Sequence, residues 1–295
     1  VNGFIHVKDP LDELAERFAG WAADQANIKG VLLVGSRARK EPPADSMSDL
    51  DLLILTTNAE YYLRETDWFG RFGDVLFTFV EGTAIGGQFE RRVLYKGGLD
   101  VDFNVVPNDL FTQLLEVGFP AEVQDVFRRG FRILVDKDAV LGRISDFSET
   151  MTTTPPSLEQ LDQHTDDFLY HAVWAEKKLH RGELWTAKWC CDVYMKKLLL
   201  RMVEWHARAT RGWDYDTWYE GRFLERWADP KVVAELTNTF ARYDAEEVAY
   251  ALLYTIEAHK LLSAETASKL GYLNLEGKYT EALRLVKKYT SLGQG

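Results

Sequence analysis

Short apolar runs, separated by polar segments that carry glycine and proline, dominate the first half of the chain. In the second half, apolar residues recur at helical spacing instead. Asp9 suits an N-cap and Pro10 a first helical position, and Leu11, Leu14, Phe18, Trp21 and Ala22 then mark one apolar face running to about Asn27. Residues 31–34 and 50–55 read as strands, with a short helix over 61–68. Residues 75–80, 91–96 and 99–106 read as further strands; Gly97-Gly98 makes a tight hairpin turn and Pro107 ends the last strand. Helices over 110–117 and 121–129 and a short strand over 132–135 complete this half. The segment 146–156 is rich in Ser, Thr and Pro and poor in apolar residues, which places a domain boundary there, dividing 1–148 from 149–295. Beyond it, Ser157 caps a helix to about Arg181, and helices follow over 184–209, 217–227, 230–243, 245–262, 264–270 and 276–289. The expectation is an α/β domain followed by an all-α helical bundle.

The first two strands frame the chemistry. Val34 leads into Gly35-Ser36, and the second apolar run opens with Asp49 and Asp51. Alternation along a strand puts those two carboxylates on one side, where they repel unless a cation lies between them. Gly35 lets backbone approach a bulky anion closely, and Ser36 with the following amides can donate to phosphate oxygens. Taken singly, a Gly-Ser pair is usually a turn and Asp-Leu-Asp a solvated strand face. In this order, with Arg37, Arg39 and Lys40 between them, they point to a metal–nucleotide triphosphate site. Asp100 and Asp102 alternate with Leu99, Val101 and Phe103, so either could join the pair if their strand lies beside residues 50–55. Three carboxylates suit two Mg²⁺ ions held ~3.5–4 Å apart.

Composition narrows the partners. A formal net charge of −11 argues against a nucleic-acid surface and is compatible with a small cationic substrate. No stretch approaches the ~20 apolar residues of a membrane span. The two cysteines, Cys190 and Cys191, are adjacent and lack metal-ligand spacing; with no secretory signal visible, a reduced, cytoplasmic protein is expected.

Gly35-Ser36-Arg37, Ser48-Asp49-Leu50-Asp51, Gly73 after Trp68, and the run from Gly98 through Asp102 to Pro107 resemble the aminoglycoside 6-adenylyltransferase (streptomycin adenylyltransferase) family. The likeness continues through Lys177, Arg181, residues 199–202 and Trp205, covering roughly residues 28–285. It implies a nucleotidyltransferase-type α/β (α+β) domain with a mixed sheet, a helical substrate-binding domain, Mg²⁺, and ATP as nucleotide substrate. It picks Asp102 over Asp100 as third metal ligand, and implies nucleotide binding by Gly35, Ser36, Arg37 and Lys177. For Arg37 a salt bridge, and for Lys177 a solvated position, is the plainer alternative. Streptomycin-modifying relatives tend to read Asn-Glu-Phe-Trp where this chain has Asp166-Asp167-Phe168-Leu169. Asp167 keeps the carboxylate, as base or ammonium ligand, or else as a surface acid; losing the aromatic at Leu169 argues against streptomycin itself.

The function expected from this resemblance is transfer of AMP to a hydroxyl of a small, cationic, aminoglycoside-like acceptor entering between the domains. Pyrophosphate would be released, as in antibiotic-resistance enzymes. Asp49, Asp51, Asp102 and Asp167 would carry catalysis. The alternatives are nucleotidyl transfer to tRNA or protein, which the acidic balance disfavours for tRNA, and a non-catalytic nucleotide-binding module, which typically lacks one of the acids.

Overall fold

The structure, a computed structural model, describes residues 9–83, 86–144, 153–272 and 276–292, with side chains to 287. The chain divides into two compact units, Val1–Thr150 and Met151–Gly295. The boundary expected after residue 148 lies outside the described residues.

The first unit begins with α1 (Pro10–Asp24), where the Asp9 carboxylate accepts the Leu11 amide at 2.8 Å and Pro10 occupies the first turn. Then come β1 (Ile28–Val34), β2 (Leu50–Thr56), α2 (Ala59–Arg64), β3 (Val75–Gly82), β4 (Phe89–Tyr95), β5 (Leu99–Pro107), α3 (Asn108–Val117), α4 (Ala121–Arg129) and β6 (Arg132–Asp136). The strands form one sheet in the order β3-β4-β5-β2-β1-β6. Among the described residues only β2 and β5 run parallel, so the sheet is mixed. Alternation sends Leu50, Leu52 and Ile54 of β2 and Val101, Phe103 and Val105 of β5 to one face, where they pack with Phe18 of α1 and with Trp68. Each such side chain, fully buried, contributes about 1.5–3 kcal/mol. On the opposite face, Phe111, Phe119 and Phe127 cover Leu32, Val34 and Leu55 of β1 and β2.

The second unit is all helical among its described residues. Ser157 and Gln160 form a reciprocal capping box that starts α5 (Leu158–His180). Then α6 (Leu184–Trp189) passes through a π-turn at Cys190–Tyr194 into α7 (Met195–Arg211). Both cysteines are free and buried there. The sequence-based elements need three corrections. Residues 217–227 hold a 3₁₀ turn at Tyr219–Gly221 and are α-helical only at their end, α8 (Leu224–Trp227), because Trp218, Glu220 and Phe223 take positive φ values that an α-helix excludes. The helix expected over 230–243 ends early, as α9 (Pro230–Leu236), followed by a 3₁₀ turn at Thr237–Thr239. Residues 245–270 form a single helix, α10 (Ala245–Leu270), in which Ser263 is buried rather than a break. The last helix is α11 (Glu276–Leu292).

Candidate active site

The turn after β1 carries the first group. Gly35 has φ +69°, and a Cβ on it would lie 2.0 Å from an Asp51 carboxylate oxygen. Glycine is therefore required here twice over, by the backbone angle and by the approach of Asp51. Ser36 follows with its Oγ buried and without a hydrogen-bond partner among the described residues. The Arg37 side chain is only 5% exposed. Its Nε donates to the Asp49 carbonyl at 3.0 Å and its Nη2 to the Ser48 carbonyl at 3.2 Å. Asp9 and Asp12 of the α1 N-terminus take its remaining charge at 3.2 and 3.4 Å. The guanidinium thus faces into the fold, where it fixes the loop that delivers Asp49.

Strand register brings in the third acid. Val34 of β1 pairs with Asp51 of β2, and Asp51 pairs in turn with Asp102 of parallel β5. Oxygens of Asp49, Asp51 and Asp102 lie within 4.8 Å of one another. Asp100, one pleat away in the strand, is not part of that group. Asp102 is 4% exposed, and its Oδ1 lacks a hydrogen-bond partner among the described residues. Burial, opposed by the Arg92 guanidinium and reinforced by Glu90, Asp100 and Asp49, pushes its carboxyl up to about 7. Asp100 is also raised, by burial and by Asp49. Three converging oxygen donors, one of them buried and orphaned, form a hard-cation donor set, and the residues fit a divalent metal.

Sequence motifs missed the network beside these acids. Arg92 of β4 stands opposite Asp102, with Nη2 at 3.3 Å from its Oδ2. The same guanidinium reaches Glu90 at 2.9 Å and Glu81 of β3 at 2.6 Å. The only signal in the chain is the polar run Glu90-Arg91-Arg92, which puts charge on both faces of a strand.

In the second unit, Asp167 and Lys177 both lie on α5, Lys177 at an exposed position. Tyr194, the last residue of the π-turn, donates its hydroxyl to both Asp167 oxygens at 3.1 Å. His171, one turn on, sits 2.8 Å from Asp167 Oδ1. A recess of about 450 Å³ opens beside Asp167, lined among others by Gln160, Gln163, His164, Arg201 and Trp205. Its volume is that of a small-molecule site.

Comparison with known proteins decides the family. The family model described as streptomycin adenylyltransferase matches residues 11–290. The chain belongs to this family. Curated relatives are aminoglycoside 6-adenylyltransferases: one from Bacillus subtilis (strain 168) is 22% identical over 94% of this chain and 95% of its own length. One from Staphylococcus aureus is 23% identical over 77% of this chain and 80% of its own. Among solved structures, an aminoglycoside 6-adenyltransferase from Bacillus subtilis aligns over 94% of this chain and 97% of its own, with 18% identity and a TM-score of 0.44. A nucleotidyltransferase-like protein from Exiguobacterium sibiricum aligns over 96% and 90%, with 12% identity and a TM-score of 0.37. As a member of the streptomycin adenylyltransferase family, the chain is a nucleotidyltransferase. No helix among its described residues is long and apolar enough to cross a membrane.

Proposed function

We propose that this chain transfers AMP from Mg·ATP to a hydroxyl of a small, cationic, aminoglycoside-like acceptor and releases pyrophosphate. The observation that carries the reading is the convergence of Asp49, Asp51 and Asp102 within 4.8 Å at the end of a Gly-Ser turn. In the transfer, the acceptor oxygen bonds to the α-phosphorus as the bond to the β-phosphate oxygen breaks, and the hydroxyl proton passes to a carboxylate. Bound divalent metal would neutralise the triphosphate and lower the pKa of the acceptor hydroxyl. Asp49, Asp51 and Asp102 would hold that metal, and Asp102 would also promote deprotonation. The amides and Oγ of the Gly35-Ser36 turn bind triphosphate oxygens. Arg37 acts on the nucleotide indirectly, by fixing Asp49. Asp167, held by Tyr194 and His171, receives an acceptor ammonium or the hydroxyl proton. A reduced, cytoplasmic setting, where ATP is available, suits such an enzyme.

The test is a panel of aminoglycosides and simpler amino sugars with ATP and Mg²⁺, followed by pyrophosphate release. The expected result is turnover with at least one acceptor, abolished by Asp49→Asn or Asp51→Asn in protein of unchanged circular dichroism. Undiminished turnover in those variants would remove the carboxylates from the mechanism.

A further inference from the structure

The sheet's second face is covered by α3 and α4 over β1, β2 and the end of β5 at Val106. Over β3 and β4 it bears apolar side chains in the open: Phe77 is 68% and Phe79 52% exposed. Register shows what these residues stand beside. Phe79 pairs with Arg92, Arg92 with Asp102, and Asp102 with Asp51. Phe77 pairs with Leu94, and Leu94 with Asp100. Residues opposite one another in a sheet project from the same face, so Phe77 and Phe79 share the face of the metal-binding acids. Phe79 lies two strand spacings from Asp102, about 10 Å.

Charge on this face is unbalanced. Glu81 and Glu90 are directly opposed across β3 and β4, an arrangement that destabilises a sheet unless a cation bridges it. Arg92 is the bridge, yet Asp102 shares it. One guanidinium thus serves three carboxylates, with Asp100 in the neighbouring row. When a metal takes Asp102, Arg92 still has two carboxylates to one positive charge, and Glu90 is only 6% exposed. The deficit sits beside two exposed aromatic rings. Aromatic faces against the apolar side of a polar ring, with carboxylates at its edge, form a recognition surface for a cationic sugar or aminocyclitol.

We infer that Phe77 and Phe79, with Glu81 and Glu90, form an acceptor subsite on β3 and β4, binding a cationic ring on the aromatic faces and its ammonium or guanidinium group on the glutamates. The inference rests on the aminoglycoside reading above and adds the residues that select the acceptor. Glu81 and Glu90 share Arg92 with Asp102, so Phe79 is the position at which acceptor and ATP parameters separate.

Calorimetry of the same aminoglycoside panel, without nucleotide, tests binding apart from transfer; pyrophosphate release gives KM for acceptor and for ATP. Glu81→Gln should weaken acceptor binding and raise its KM about ten- to a hundredfold. Phe79→Ala should do so about two- to tenfold, with KM for ATP unmoved. Val80→Ala, on the other face of the same strand, is the control and should change neither. All three positions are exposed or half-exposed, so folding is retained. Binding that is weakened by Glu81→Gln, without pyrophosphate release, would defeat the transfer reading while supporting the subsite. Three results overturn the subsite: no panel member binds; acceptor affinity is indifferent to both variants; or Phe79→Ala dissociates a dimer in sedimentation with acceptor KM unchanged. The last outcome would assign the patch to a second copy of the chain.

Discussion

Replacing Asp102 by Asn should stabilise the metal-free protein, and should do so only above mildly acidic pH. The carboxyl is 4% exposed, has one oxygen without a partner, and is pushed from 3.8 up to about 7. At 1.36 kcal/mol per pKa unit, holding it ionised in the fold costs up to about 4 kcal/mol relative to the unfolded chain. A group whose folded pKa is raised binds its proton more tightly when folded. Wild-type stability from this group is therefore full below about pH 4, falls as pH rises to about 7, and is constant above. Asparagine is nearly isosteric and neutral, so it escapes the penalty, but it gives up the charge-assisted contact with Arg92, which keeps Glu81 and Glu90. The net expectation is a gain of about 1–3 kcal/mol at about pH 8.5, shrinking to nothing near pH 4. Urea unfolding in chelator, repeated across that range for both proteins, measures it. Adding Mg²⁺ or Mn²⁺ should reverse the order, since only the wild type offers the third carboxylate. A variant less stable than wild type at the alkaline end, or a difference independent of pH, would refute the account of Asp102 as a strained metal ligand.

The other predictions concern the turn and the two ligands. Gly35→Ala should cost roughly 1–2 kcal/mol for the left-handed backbone alone. Because its Cβ would displace Asp51, it should also weaken Mn²⁺ binding in protein of normal circular dichroism; unchanged Mn²⁺ affinity would show that Asp51 is not held by that turn. Mg·ATP at a hundredfold over its dissociation constant should stabilise the fold by ~2.7 kcal/mol, most of it lost on chelation. A thermal shift blind to chelator would count against a metal-triphosphate site. Asp167→Asn should reduce acceptor affinity about ten- to a hundredfold with ATP binding unchanged. Wild-type acceptor use in that variant would make Asp167 a surface acid.

Much of this protein is written locally. Asp9-Pro10 and Ser157 with Gln160 start helices through their own side chains, so neighbouring residues suffice to read them. The alternation Leu-Asp-Val-Asp-Phe puts Asp100 and Asp102 on one strand face whatever strands lie beside it. The family pattern names Gly35 and Ser36, and the positive φ and missing space at Gly35 supply the physical reason.

Tertiary structure decided the rest. Which acid meets Asp51 depends on the parallel register of β2 and β5, a pairing between residues about fifty apart that no local pattern encodes. For Arg37 the resemblance implies a nucleotide ligand and the plainer alternative is a salt bridge; its partners, two backbone carbonyls and the acids at the start of α1, are visible only once the turn and helix are packed. Arg92, Glu81 and Glu90 belong to no motif; they acquire meaning because β4 lies between β3 and β5 and lines them up with Asp102. Positive φ at Trp218, Glu220 and Phe223 broke a helix that periodicity favours, because packing overrides a weak intrinsic preference. Helical period and caps act between residues a turn apart, and the sequence alone determined those. The convergence of charges across strands follows from long-range pairing, and only the folded chain determines that.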